Sequence, residues 1–92
     1  MLYFEWDAHK ASANLAKHGV SFESARSVFD HPFAVDMEDR SANYSEVRRR
    51  IVGLGNGLVL TIIYTERSET IRIISARKAT RVERKEYNEN GW

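Results

Sequence analysis

The stretch Arg72-Ile-Ile-Ser-Ala-Arg-Lys-Ala-Thr-Arg-Val-Glu-Arg84 sets Arg77, Lys78, Arg81 and Arg84 where an apolar strand gives way to the start of a helix. Arginine forks and the free N–H groups of a helix N-terminus both suit a phosphate. Such a cluster points to an RNA or DNA backbone more than to an apolar ligand. If that backbone is RNA and is cut without a metal, the step needs a base for the 2′-hydroxyl, an acid for the leaving 5′-oxygen, and cations for the charge that builds on phosphorus. His18 suits the proton transfers, because imidazole titrates near neutrality. Its place beside Gly19 at a helix end suits dipole compensation equally well. Arg67 and Arg77 are the candidate charge stabilisers, and Tyr87 is a candidate for stacking a base or for a polar catalytic role.

Lys17, Arg48, Lys78, Arg81 and Arg84 are candidate RNA-backbone contacts. Bland alternatives stand beside them. Lys17 fits a solvated helix surface, and Arg48 fits an ion pair with Glu46. Glu83, three residues after Thr80, reads as a capping-box acid rather than a catalyst. His9 and His31 have no evident partner and are assigned to surface or turn. Asp36, Glu38 and Asp39 form an acidic cluster, but no Asp-x-Asp-Gly loop or histidine partner accompanies them. They read as a solvated strand end, and neither metal nor other cofactor is expected.

These groups must be held by a small scaffold. The chain has 92 residues, 42% of them apolar, and no cysteine, so one domain over residues 1–92 with one modest core is expected. Thiolate chemistry and disulfides are excluded. No basic leader or long apolar run is present, so a cytoplasmic protein without a membrane span is the expectation. Net charge is only +1, but residues 1–43 balance to −3 and residues 44–92 to +4. Eight of the ten cations in the second part are arginine, the residue that forks onto phosphate and carboxylate.

The pattern predicts a strand over 2–6, then a helix over 8–17 with Asp7 as N-cap and Gly19 as C-cap. Ser21 starts a second short helix whose stripe is Phe22, Ala25, Val28 and Phe29, and His31-Pro32 ends it. Strands follow at 33–37 and 47–54, separated by a polar turn over 38–45. Gly55-Asn56-Gly57 signals a hairpin. Residues 58–65 are apolar on both faces and should be a central strand. The last strand spans 71–77. Strict alternation puts Arg77 on one face and Arg72 on the other unless a bulge intervenes. Thr80 caps a final helix to about residue 89, and residues 90–92 should fray. The expected fold is α+β, a small antiparallel sheet with two N-terminal helices on one face and a C-terminal helix. Its spine would be Phe22, Val28, Phe29, Leu58, Leu60, Ile62, Ile73 and Ile74.

Two long segments carry a resemblance. FEWDAHKASANLAKHGVSFESARSVF, residues 4–29, resembles the opening of the BrnT toxins; EVRRRIVG, residues 46–53, and YTERSETIRIISARKATRVERKEY, residues 64–87, resemble their second half. The motifs Lys-His-Gly-Val-x-Phe and Arg-Ile-Ile-Ser-Ala-Arg-x-Ala are specific in combination. The resemblance implies a RelE-like fold and a metal-independent ribonuclease that inhibits translation. It implies a BrnA-like antitoxin with a ribbon-helix-helix region, operator DNA contacted only through that antitoxin, and room for a dimer within the complex. RelE-like toxins are often strongly basic, and this chain is nearly neutral. Two other readings stay open: a non-catalytic RNA- or protein-binding module, and an inactive toxin that serves as co-repressor with its antitoxin.

Overall fold

The structure is a computed structural model and describes residues 2–39 and 46–90. Most of the expected 38–45 turn and the frayed end at 91–92 lie outside those residues. Along the chain come β1 (Tyr3–Glu5), α1 (Ala8–His18), α2 (Phe22–Arg26), a 3-10 turn (Ser27–Asp30), β2 (Val35–Asp39), β3 (Arg48–Gly55), β4 (Leu58–Arg67), β5 (Thr70–Lys78) and α3 (Arg81–Asn90). The five strands form one sheet in the order β1-β5-β4-β3-β2, with β4 at its centre. Three pairings are antiparallel, but β1 runs parallel to β5. The sheet is therefore mixed and not antiparallel. A parallel neighbour needs a long return path, and here about two thirds of the chain separates the two strands.

Local chemistry sets the boundaries. The Asp7 carboxylate accepts the Lys10 N–H at 3.0 Å and starts α1, while Gly19, at φ 70°, ends it. Ser21 Oγ accepts the Ser24 N–H at the head of α2. The second helix is shorter than its stripe predicts: after Arg26 it tightens into the 3-10 turn, which carries Val28 onto the sheet. That turn rests directly on β3. A Cβ on Gly53 would lie 2.9 Å from Ala34 Cβ and 3.2 Å from Val28 Cγ1, so glycine permits the approach. Asn56 (φ 53°) and Gly57 (φ 81°) make the two-residue hairpin between β3 and β4.

One irregularity decides which side chains meet. On β5, Ile73 lies opposite Tyr64 and Ser75 opposite Ile63, so Ile74 is an extra residue, a β-bulge. Before it, Ile71 and Ile73 face the core; after it, Ala76 does. Arg72, Ser75 and Arg77 all take the other face. The bulge thus overturns the assignment of Arg72 and Arg77 to opposite faces.

The core lies on the side of α1, α2 and the 3-10 turn. Phe22, Val28, Leu60, Ile62 and Ile73 are buried as expected, joined by Val20, Ala25, Ile51, Tyr64, Ile71 and Ala76. Phe29 is only partly buried against them, and its ring meets those of Phe4 and Tyr64 edge-on. Leu58 is exposed at the hairpin, and Ile74 sits at the bulge, half-buried. Neither belongs to the spine. Asn14 closes a gap at the β5 edge: its amide donates to the Ala76 carbonyl at 2.7 Å and accepts the Ala76 N–H at 3.2 Å. No described helix is long and apolar enough to cross a membrane.

Candidate functional site

The face of the sheet away from the core carries the charge. Strand register places Arg48, Arg50, Thr61, Thr65, Arg67, Arg72 and Arg77 on it, with Glu5 from β1 at one margin. Two stations stand out along β5.

The first station is a shallow pocket of about 290 Å³ lined by Glu5, Glu46, Thr65, Arg67, Thr70 and Arg72. Arg67 donates to both Glu46 oxygens, at 3.1 and 2.8 Å, and Arg72 donates to Glu5 at 3.3 Å. The Arg67 contact holds the Glu46 carboxyl below its ordinary value, and Glu46 raises that of Arg67 in return. Glu46 is thus committed to Arg67, whereas Arg48 lies opposite Asp39 in the β2–β3 register.

The second station lies under α3. Glu83 is 4% exposed. Its Oε1 accepts from Arg77 Nη1 at 2.7 Å, Thr61 Oγ1 at 2.8 Å and the Thr80 N–H at 2.8 Å. Its Oε2 accepts from Arg77 Nη2 at 3.0 Å and Arg50 Nη1 at 3.3 Å. The Thr80 hydroxyl accepts the Glu83 N–H at 3.2 Å, completing a capping box. Burial would raise this carboxyl, but Arg77, the Thr80 N–H and Thr61 together override it and hold it at about 2. Glu83 in turn raises Arg77. One helical turn on, Tyr87 Oη lies 2.6 Å from His31 Nε2, and Phe33 packs edge-on against the same imidazole.

The proposed residues do not form one constellation. Arg77 meets Glu83 of α3, Tyr87 on the same helix meets His31, and Arg67 belongs to the first station. Arg72 and Arg77 are separated by four strand steps and one bulge residue, roughly 13 Å at strand rise. Arg81 and Arg84 follow the second station and are exposed, with Arg84 Nη1 donating to the Ala79 carbonyl at 2.9 Å, whereas Lys78, opposite Leu60, is exposed at the strand end on the core-side face, away from Arg77. Lys17 and His18 sit at the end of α1, which covers β5 from the core side. No hydrogen bond or ion pair joins His18 to Arg67, Arg77 or Tyr87.

Sequence reasoning missed His31, Arg50 and Thr61. The His31–Tyr87 contact spans 56 positions and has no local signature. Thr61 did leave a signal: with Thr65 it interrupts an aliphatic strand at a spacing of four, which marks one face of that strand as polar-lined. In the acidic cluster, Asp36 is already engaged. Asp36 accepts from Arg49 at 3.1 Å and from the Tyr64 hydroxyl. Burial first, then Asp36, pushes that phenol far above its usual range. Among the described residues no three His, Cys, Asp or Glu side chains gather as ligands for a metal.

A family model described as "Ribonuclease toxin, BrnT, of type II toxin-antitoxin system" matches residues 6–83. No curated protein matches the chain significantly.

Proposed function

Because the chain belongs to the BrnT family of type II toxin–antitoxin ribonuclease toxins, we propose that it is an endoribonuclease that binds RNA across the arginine-bearing face of its sheet. The observation that carries this reading is the bulge at Ile74, which gathers Arg72 and Arg77 onto the face that also holds Arg50 and Arg67. A polyanion laid along β5 meets guanidinium groups at both stations. Such contacts position a strand without reading its sequence.

The proposed chemistry is attack of a 2′-oxygen on its own phosphodiester. Arg77 stabilises the charge on phosphorus, and Arg50 supports it from the neighbouring strand pair. Tyr87, hydrogen-bonded to His31, is the proton-transfer group nearest this station; His18, with no link to it, is the weaker candidate. Arg67 serves the flanking strand, and Arg81 and Arg84 hold the backbone beyond it. Guanidinium groups supply the charge stabilisation, so the reaction proceeds without a metal. We further propose a RelE-like fold in one domain, action in the cytoplasm, and neutralisation by a BrnA-like antitoxin whose ribbon-helix-helix region holds the operator. That partner covers part of the surface of Arg67, Arg77, Arg81 and Arg84, since arginine anchors are common where interfaces are strongest.

The test is induced expression followed by purified protein on a defined RNA in excess chelator. Growth arrest with cleavage, both sharply reduced by Arg77→Ala in a folded variant, is the expected result. Arrest without cleavage would favour a binding module, and neither would favour an inactive co-repressor.

A further inference from the structure

α3 is fastened to the sheet in an unusual way. Among its described side chains only Glu83 is buried, and Val82 is 65% exposed. No apolar side chain of the helix is buried against the sheet. The Glu83 carboxylate and the Tyr87–His31 contact hold it, both polar. The Glu83 carboxylate sits among five donors: two from Arg77, one from Arg50, the Thr61 hydroxyl and the Thr80 N–H. Two of the sheet's arginines thus converge on a single anion, on the face that carries the others.

That anion underfills its surroundings. The buried Nε of Arg50 has no hydrogen-bond partner among the described residues. Arg50 Nη2 is left with the Met37 thioether at 2.8 Å, a weak acceptor. A carboxylate offers two oxygens on one edge, whereas a phosphodiester presents more acceptor positions around a tetrahedral centre. Guanidinium donors recognise both groups.

We propose that Arg50, Arg77, Thr61 and the Thr80 N–H form a phosphodiester-binding cradle that the Glu83 carboxylate occupies in the closed state, so that α3 must lift for RNA to enter. This rests on the ribonuclease reading for the identity of the ligand. It adds the residues of the cradle and the helix that gates it. Opening exchanges one charged occupant for another, so the arginines are never left buried without a counter-charge, the arrangement that costs most.

The experiment uses the intact chain and a 2′-O-methyl oligoribonucleotide, which keeps the phosphodiesters but cannot be cut. Binding is read by fluorescence anisotropy at fixed salt. Glu83→Gln keeps the capping box, which glutamine also satisfies, and removes the competing charge. It should bind the oligonucleotide at least about ten-fold more tightly, the scale of 1.4 kcal/mol in a binding equilibrium. Glu89→Gln, which removes the same charge from an exposed position of α3, should change binding by less than two-fold. Adding Arg50→Ala to Glu83→Gln should erase the gain. In the unaltered protein, the oligonucleotide should speed hydrogen exchange of the α3 amides and leave those of α1 unchanged. Should Glu83→Gln fail to fold, Tyr87→Phe loosens the helix with the cradle intact, and should raise both α3 exchange and affinity. Equal affinity in folded Glu83→Gln and Glu89→Gln, or α3 exchange unmoved by the oligonucleotide, overturns the cradle. So does Tyr87→Phe with affinity and exchange unchanged. The two ideas fail separately. Tighter binding by Glu83→Gln in a chain that cuts no RNA sinks only the ribonuclease reading. Cleavage with no gain in Glu83→Gln sinks only the cradle.

Discussion

The two faces of the sheet are closed by different physics. On one, Phe22, Val28, Ile62, Tyr64 and Ile73 exclude water, and α2 and the 3-10 turn rest on them. On the other, α3 is tied down by a carboxylate among arginines and by one phenol–imidazole contact. Hydrophobic contact is non-directional and can be undone only by exposing the whole surface to water. A charge cluster can change partners. The first face is built to persist and the second to be negotiated, and the residues proposed to meet RNA lie on the second.

Phe22→Ala should break the first face outright. The ring is fully buried, so the loss should be about 3–5 kcal/mol in denaturant unfolding, most of a small domain's stability. Phe29→Ala should cost less, since its ring is only partly covered; equal losses would mean that the core is centred elsewhere. On the second face, Arg77→Ala should lower RNA cleavage by roughly 10²–10³-fold, the scale for losing one preorganised donor, with the melting profile of the core face preserved. Arg72→Ala should reduce cleavage less than about ten-fold, because it serves only the distant station. Comparable losses from the two would merge the stations into one site.

Acid should separate the faces next. The Glu83 carboxyl is held at about 2, against 4.5 for an ordinary glutamate. A depressed folded value stabilises the protein fully above the unfolded value and loses that contribution as pH falls through the folded one. Between about pH 4.5 and 2, then, α3 should loosen by an amount on the order of 3 kcal/mol, read by hydrogen exchange of its amides. Glu83→Gln should flatten that dependence; an unchanged slope would show that other carboxylates govern it. The smallest effect belongs to Glu46→Gln. Its pair with Arg67 is exposed and screened, and the melting temperature should stay within error of the parent.

Much of the fold was legible from local signals. Asp7, Gly19, Ser21, Asn56-Gly57 and the Thr80–Glu83 box each mark a boundary through a hydrogen bond or a backbone angle that neighbours alone determine. What escaped was set at long range. The bulge at Ile74 adds one residue between two isoleucine-bearing pairs of an ordinary strand, and no residue type announces it. The parallel β1–β5 pairing depends on the closure of the whole sheet. The candidate site suffered more than the fold for the same reason. Arg77 and Tyr87 were visible by type, but which carboxylate holds an arginine, or which imidazole meets a phenol, is decided by strands and helices far apart in sequence. His31 looked idle only because its partner lies in the last helix.

The position of β5 has a consequence for how the protein comes into being. Chains are made N-terminal end first, at about 5–20 residues per second. β5 lies between β1 and β4 and supplies the only neighbour that β1 has in the described sheet. Until the last quarter of the chain is made, β1 has no strand beside it, Asn14 has no Ala76 to close upon, and Arg72 and Arg77 do not yet exist. The strand that completes the scaffold is the same strand that brings the charge. A truncated product therefore lacks both the strand that joins β1 to the sheet and two arginines of the charged face, so the fold and the proposed site are completed together.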